Sequence, residues 1–307
     1  LAKANLHKAV LRDANLYKVN LENANIKQAD FRRANMRGVN AQNVIASGAY
    51  MKRANLSKIN FSGANLTNAQ LELAEISGGA SFNKANLNYA VLIKANLKDA
   101  NFIETTLVNA NYHEANLAGA HFRGADLTSA NLTEADLQGA DFTEAHLYEA
   151  NLSQASIIKT KLEQAYLDRC RVYGCSVWDI RGEPASQKDL LISDKNDGDI
   201  TTDDVEVAQF IYLMYDNKKI RNIINSVTSK GVLILGRFSP PERKVVLDGL
   251  REKLREFNLL PIVFDFDRPV DKDYTETVQT LAGMSLFVIA DVTSPKSIPL
   301  ELEATAK

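Results

Sequence analysis

Large apolar residues recur at every fifth position through the first half of the chain: Leu1, Leu6, Leu11, Leu16, Leu21, Ile26, Phe31, Met36 and onward to Ile76, then from Phe82 in fives to Val177. A small residue, usually alanine, stands two positions before each of these centres. Neither a helix period of 3.6 nor a strand period of 2 yields a pure period of five, so the pattern predicts a solenoid in which each pentad forms one side of a coil. Identical side chains return every twenty residues, at Phe82, Phe102, Phe122 and Phe142 and at Leu87, Leu107, Leu127, Leu147 and Leu167. Four pentads therefore close one coil. A narrow square section holds one large and one small inward residue per side, leaving the other three positions of the pentad to solvent. At about 4.8 Å per rung, roughly nine coils make a rod on the order of 40 Å long.

Two defects interrupt the period. "EISGGASFNK" carries one extra residue at Gly78-Gly79, where glycine suits a one-residue bulge. At Ala41 and Ala46 the centres shrink, which predicts an under-packed coil. After Val177 the period fails. Trp178 is expected to cover the open end, and 181–229 is expected to be a linker. Within it, 202–217 and 218–228 predict a pair of helices that dock between domains or dimerise, and Asp194 to Asp199 lacks calcium-loop spacing and predicts a turn.

From 230 the pattern changes to short runs apolar on both faces, "VLILG", "LPIVFDFD" and "SLFVIADV", alternating with helical stretches. The first helix starts at Ser239-Pro240-Pro241-Glu242, with Val245, Val246, Leu250, Leu254 and Phe257 in helical spacing. This order predicts a doubly wound parallel α/β domain over 230–307, whose ligand would sit beyond the carboxyl ends of its strands. Because that domain stops after three strands, it is expected to be C-terminally incomplete, and the opening in mid-pattern without Met predicts a trimmed N-terminus.

Composition narrows the picture. The chain has 307 residues and a net charge of −2, with no apolar run near the roughly 20 residues that span a bilayer. Two cysteines, Cys170 and Cys175, are too few for a disulfide framework and predict a reducing, cytoplasmic compartment. Both occupy the inward small slot and are expected to be buried thiols. His7, His113, His121 and His146 fall at outward positions without ligand spacing, and Glu114 and Glu134, twenty apart, are expected to be like-charged neighbours on one face that splay into water. Residues 1–100 carry 14 Lys/Arg against 6 Asp/Glu, whereas 101–150 carry one Arg against eight acids, so opposite ends could favour head-to-tail association.

With some thirty pentads in phase, residues 1–180 resemble the pentapeptide-repeat family. The resemblance implies a right-handed quadrilateral β-helix, though the family's functions are varied; the expected role here is a scaffold for self-association or a protein partner. Some members of that family mimic duplex DNA and bind topoisomerase, a role the segregated charge fits poorly because a mimic needs acid along its length.

Residues 229–307 resemble the Toll/interleukin-receptor (TIR) superfamily, "VLILGRF" its first strand and loop and "FVIADVTSPKSIPLELEA" the strand and helix that carry its glutamate. This implies cleavage of NAD or a related nucleotide at the N-glycosidic bond on assembly, with no cofactor or metal. Glu301 would be the catalytic carboxylate, with Glu303 its nearest competitor. Gly236, Arg237, Phe238, Ser239, Asp291, Thr293 and Ser294 would line the nucleotide site. The alternative is a non-catalytic interaction module. From Trp178 onward there is neither His nor Cys, so a carboxylate mechanism is the one well supplied.

Overall fold

The computed structural model describes residues 1–193, 200–216, 222, 226, 228–236, 241–265 and 281–290. The chain divides into two compact units, Leu1–Leu213 and Met214–Lys307.

In the first unit, parallel bridges join residues twenty apart, from Asn5 with Asn25 to Arg171 with Leu191, so each coil has four sides and the pairing continues to Leu191. One pentad explains the rest. The N–H of Ala4 closes a turn on the carbonyl of Leu1 at 3.1 Å, and Lys3, third in the turn, has φ 57°. That left-handed geometry belongs to a type II turn and costs a non-glycine residue about 1–2 kcal/mol. It is repaid between coils: Lys3 N–H bonds Glu22 O at 2.8 Å, Leu6 N–H bonds Asn25 O at 2.7 Å, and Asn25 N–H bonds Ala4 O at 2.9 Å.

The second-position N–H would be left over. The Asn or Asp two residues before it supplies the acceptor: Asn25 Oδ1 to Lys27 N–H, Asn55 to Ser57 and Asp126 to Thr128, at 3.0 to 3.1 Å. These side chains were expected to face solvent; instead they turn back in Asx geometry, which is why the pentad prefers Asn and Asp there.

The centres and small slots form one continuous core. Phe82, Phe102, Phe122 and Phe142 stack at 4.8 to 4.9 Å with planes within 8° of parallel. The extra residue is taken up in a widened turn at 77–79, with Gly78 and Gly79 at φ 76° and 80°. Bridges spaced by twenty-one, Asn60 with Ser81 through Glu75 with Asn96, then return to twenty. The cost shows in the ladder: Phe61 and Phe82 are 5.5 Å apart and tilted by 29°. The coil at Ala41 and Ala46 is not under-packed as expected. Val39 and Val44 occupy the usual alanine slots and are fully buried, so the volume lost at the centre is restored beside it.

Polar residues in small slots are also accommodated. Thr105, Thr160 and Cys170 donate to the carbonyls of Phe82, Leu137 and Leu147, each 23 residues earlier, at 2.8 to 3.0 Å. For Thr105 that carbonyl already closes the turn of the coil beneath, from Ala85 N–H, and its second lone pair takes the extra donor.

The last coils carry short parallel strands, β1 (Ser156–Ile158) and β2 (Ser176–Trp178), followed by an antiparallel pair, β3 (Leu190–Leu191) and β4 (Thr201–Thr202). Helix α1 (Val205–Asp216) then closes the end. It starts three residues later than predicted because Asp204 caps it, accepting Glu206 and Val207 N–H at 2.8 Å. Val205 and Ala208 are buried, Ile211 and Tyr212 pack on the core, and Tyr212 meets the Tyr173 ring edge-on at 5.0 Å. Trp178, expected to be the lid, is instead 61% exposed. A strand alternates its side chains, and buried Val177 takes the inward position. The predicted turn at 194–199 lies outside the described residues, as does most of the predicted helix 218–228.

The second unit holds β5 (Gly231–Gly236), α2 (Pro241–Glu256), β6 (Leu260–Asp265) and β7 (Phe287–Ala290), a parallel sheet in the order β6-β5-β7. Central β5 is buried throughout: Val232 and Ile234 pack with Leu247 and Leu254 of α2, while Leu233 and Leu235 pack with Leu281 and Ala282. Of the face expected for α2, Leu250 and Leu254 turn inward together with Leu247. Val245, Val246 and Phe257 are 72%, 69% and 68% exposed. Asn258, at φ 58°, ends the helix in a Schellman turn: Leu259 N–H bonds Leu254 O and Asn258 N–H bonds Arg255 O, both at 2.9 Å.

Candidate functional site

In a parallel sheet ordered β6-β5-β7 the chain crosses to one side of β5 and then to the other. The carboxyl end of β5 thus borders the switch point where such sheets bind ligands. Gly236 is the last residue of β5, buried and in register with Asp265, and its neighbour Leu235 is in register with Ala290. Of the residues predicted for a nucleotide site, Gly236 alone is described. Arg237, Phe238, Ser239, Asp291, Thr293, Ser294 and Glu301 lie outside the described residues. The structure therefore brings together three strand ends: Gly236, Asp265 and Ala290.

On the solenoid the reactive residue types are held by the repeat. Cys170 and Cys175 are buried, as their slot predicted, and burial pushes both thiols upward, Cys175 to about 12. Neither is poised as a nucleophile, which would need the thiolate. His7 and His113 direct Nδ1 to the carbonyls one coil on, Lys27 O and Thr133 O, and His146 stacks on Tyr166 at 4.8 Å. Among the described residues no group of His, Cys, Asp or Glu is arranged to hold a metal ion, and no helix is long and apolar enough to cross a membrane.

Charges on adjacent rungs mostly alternate. Glu114 stands one rung from Glu134, as expected of residues twenty apart, and on its other side pairs with Lys94 at 3.0 Å, the residue twenty earlier. Lys84 with Glu104, Asp13 with Arg33, Asp141 with Lys161 and Glu149 with Arg169 follow the same spacing. These partners are mostly exposed, so solvent screens each pair and its effect on stability is small. A tighter cluster surrounds Asp30, whose carboxylate receives Arg12 at 2.5 Å and a two-pronged contact from Arg32 at 2.7 and 2.9 Å. Periodicity alone did not point to this cluster, because Arg12 and Asp30 sit in different columns, eighteen apart.

The family model for pentapeptide repeats matches eight copies here, over residues 14–53, 47–78, 79–111, 113–147 and 135–174. A comparison with curated proteins gives no match. Among solved structures, the chain is similar to HetL, a pentapeptide repeat protein involved in heterocyst differentiation regulation from the cyanobacterium Nostoc sp. strain PCC 7120. The identity is 27% over 58% of this chain and 85% of that one, with a TM-score of 0.37. It is also similar to trypsin-treated QnrB1, a plasmid-mediated fluoroquinolone resistance protein, at 14% identity over 60% of this chain and 88% of that one, with a TM-score of 0.34. Rfr23 from the cyanobacterium Cyanothece 51142 matches at 24% identity over 46% of this chain and 85% of that one, with a TM-score of 0.17.

Proposed function

The chain belongs to the pentapeptide-repeat family, and from that premise we propose that its solenoid is an assembly scaffold that carries an α/β domain. The observation that carries this reading is the division of labour within the pentad. Packing and backbone bonding consume the first, fourth and fifth positions, leaving the second and third free to vary on a backbone already ordered. A surface ordered in advance loses little entropy on association. The basic stretch 1–100 and the acidic stretch 101–150 supply complementary surfaces on one chain. Light scattering across protein concentration tests this: average mass is expected to rise with concentration at low salt and to fall back at high salt. A monomer at every concentration in low salt would overturn it.

A second reading gives the α/β unit a TIR-like activity, cleaving NAD or a related nucleotide at the N-glycosidic bond when the scaffold clusters it. The order β6-β5-β7 favours it, since the loops after Gly236 and Ala290 leave from neighbouring strand ends. In this reading Gly236, Arg237, Phe238, Ser239, Asp291, Thr293 and Ser294 line the nucleotide site, and Arg237 meets phosphate. Glu301 stabilises the oxocarbenium-like transition state. Nicotinamide release from NAD, with Glu301→Ala as control, measures it. No release by clustered protein would leave a non-catalytic interaction module.

A further inference from the structure

Trp178 and Phe210 are 61% and 54% exposed, yet both line one pocket of about 330 Å³, with Val177, Leu213 and the carboxylates of Asp179 and Glu206. A second pocket, about 170 Å³, shares Glu206 and adds Glu183 and Asp204. The two meet at Glu206, beside the junction of the last coil with α1, and are together called the groove. One half is walled by apolar side chains and the other is rimmed by acids. Val207, 45% exposed, extends the apolar side of α1. Trp178 and Phe210 thus present two large apolar side chains to solvent beside a cavity, with acids at its edge.

We propose that this groove binds a basic segment of a partner protein. An apolar side chain of that segment seats between Trp178 and Phe210, while lysine or arginine heads reach Asp179, Glu206 and Glu183. Charge selects the occupant: Asp179, Glu183 and Glu206 are all exposed. Lys159, one rung below Asp179, is the cation in that column, so Glu206, common to both pockets, is the stronger attractor. Long cationic side chains suit such a wall because their methylene stems lie on apolar surface and a guanidinium stacks on an indole face.

Trp178 is the chain's single tryptophan, so its fluorescence reports this groove alone. The full chain is titrated with a short synthetic peptide alternating leucine and arginine, and with its leucine–glutamate counterpart. A saturable emission change is expected with the basic peptide only. Combined Asp179→Asn and Glu206→Gln should weaken it at least tenfold and Phe210→Ala should abolish it. Asparagine tolerates the left-handed backbone of Asp179, φ 55°, so the neutralised protein keeps its fold. Equal response to the acidic peptide, unchanged affinity after neutralisation, or no saturable response would overturn the proposal.

Discussion

The side-chain oxygen of Gln209 accepts the backbone N–H of Val177 at 2.7 Å. In earlier coils that N–H position bonds a carbonyl of the next coil, as Val172 does to Leu191 at 2.8 Å. Helix α1 thus supplies with one amide what a further rung would have supplied. Gln209→Leu keeps the bulk and strands a buried donor, which costs about 1–3 kcal/mol. Chemical denaturation should register that loss, together with faster hydrogen exchange at Val177, while Gln209→Glu should retain most of the stability.

Tyr112 is fully buried as a pentad centre, edge-on to Phe102 and Phe122 at 6.2 and 6.4 Å, and its hydroxyl has no hydrogen-bond partner among the described residues. Burial holds its ionisation well above the ordinary phenol value. Tyr112→Phe removes the unpaired group and keeps the ring, so a gain of about 1 kcal/mol is expected in thermal or denaturant unfolding. By contrast, Phe102→Ala opens a cavity inside the stacked ladder and is expected to lose about 3–5 kcal/mol.

Removing Gly79 should restore the twenty-residue register between Phe61 and Phe82. A Cβ placed at Gly79 would meet nothing within 4 Å, so that stretch of the turn is not wedged into the core. The deletion is expected to leave the fold intact and to bring the first pair of the ladder to the spacing of the rest. Melting temperature and a crystal structure check both halves; a collapse in stability would assign the bulge a structural duty.

Alkaline pH should weaken the solenoid through its thiols. Cys175 ionises near 9.0 in an unfolded chain but near 12 when folded, because burial penalises the thiolate, and Cys170 shifts in the same direction. Its contribution is fully present below 9.0 and is lost as pH rises toward about 12, since only the unfolded chain releases its proton in that window. Cys175→Ala should flatten the fall in denaturation midpoint over that range, and thiol reagents should label the native protein only at its unfolding rate.

The number of pentads per coil, the inward columns and the buried cysteines were legible in the sequence because each rests on a spacing that repeats. What escaped were single relationships. The Asn column looked outward because the pattern says which way a residue sits, not that Asn25 bends back to Lys27. Ala41 looked like a void because its compensation lies two positions away, in Val39. Trp178 was assigned by size to a lid, although strand alternation had already given the inward place to Val177. In α2, Val245 and Val246 matched helical spacing as well as Leu247 did, and the contacts of β5 decided between them. At the sheet, the strands and their parallel pairing could be read from apolar runs, whereas their loops, with Glu301, rest on the sequence alone.

The four-sided register also fixes an angle. One extra residue at Gly79 was absorbed in a corner, so every face downstream kept its heading, with Phe82 still above Phe61. Losing twenty residues would shorten the rod without turning it, but losing five would swing everything beyond by about a quarter turn. The direction in which Trp178 looks, relative to the arginines around Asp30, is therefore set by counting pentads modulo four. The molecule is a protractor as much as a ruler.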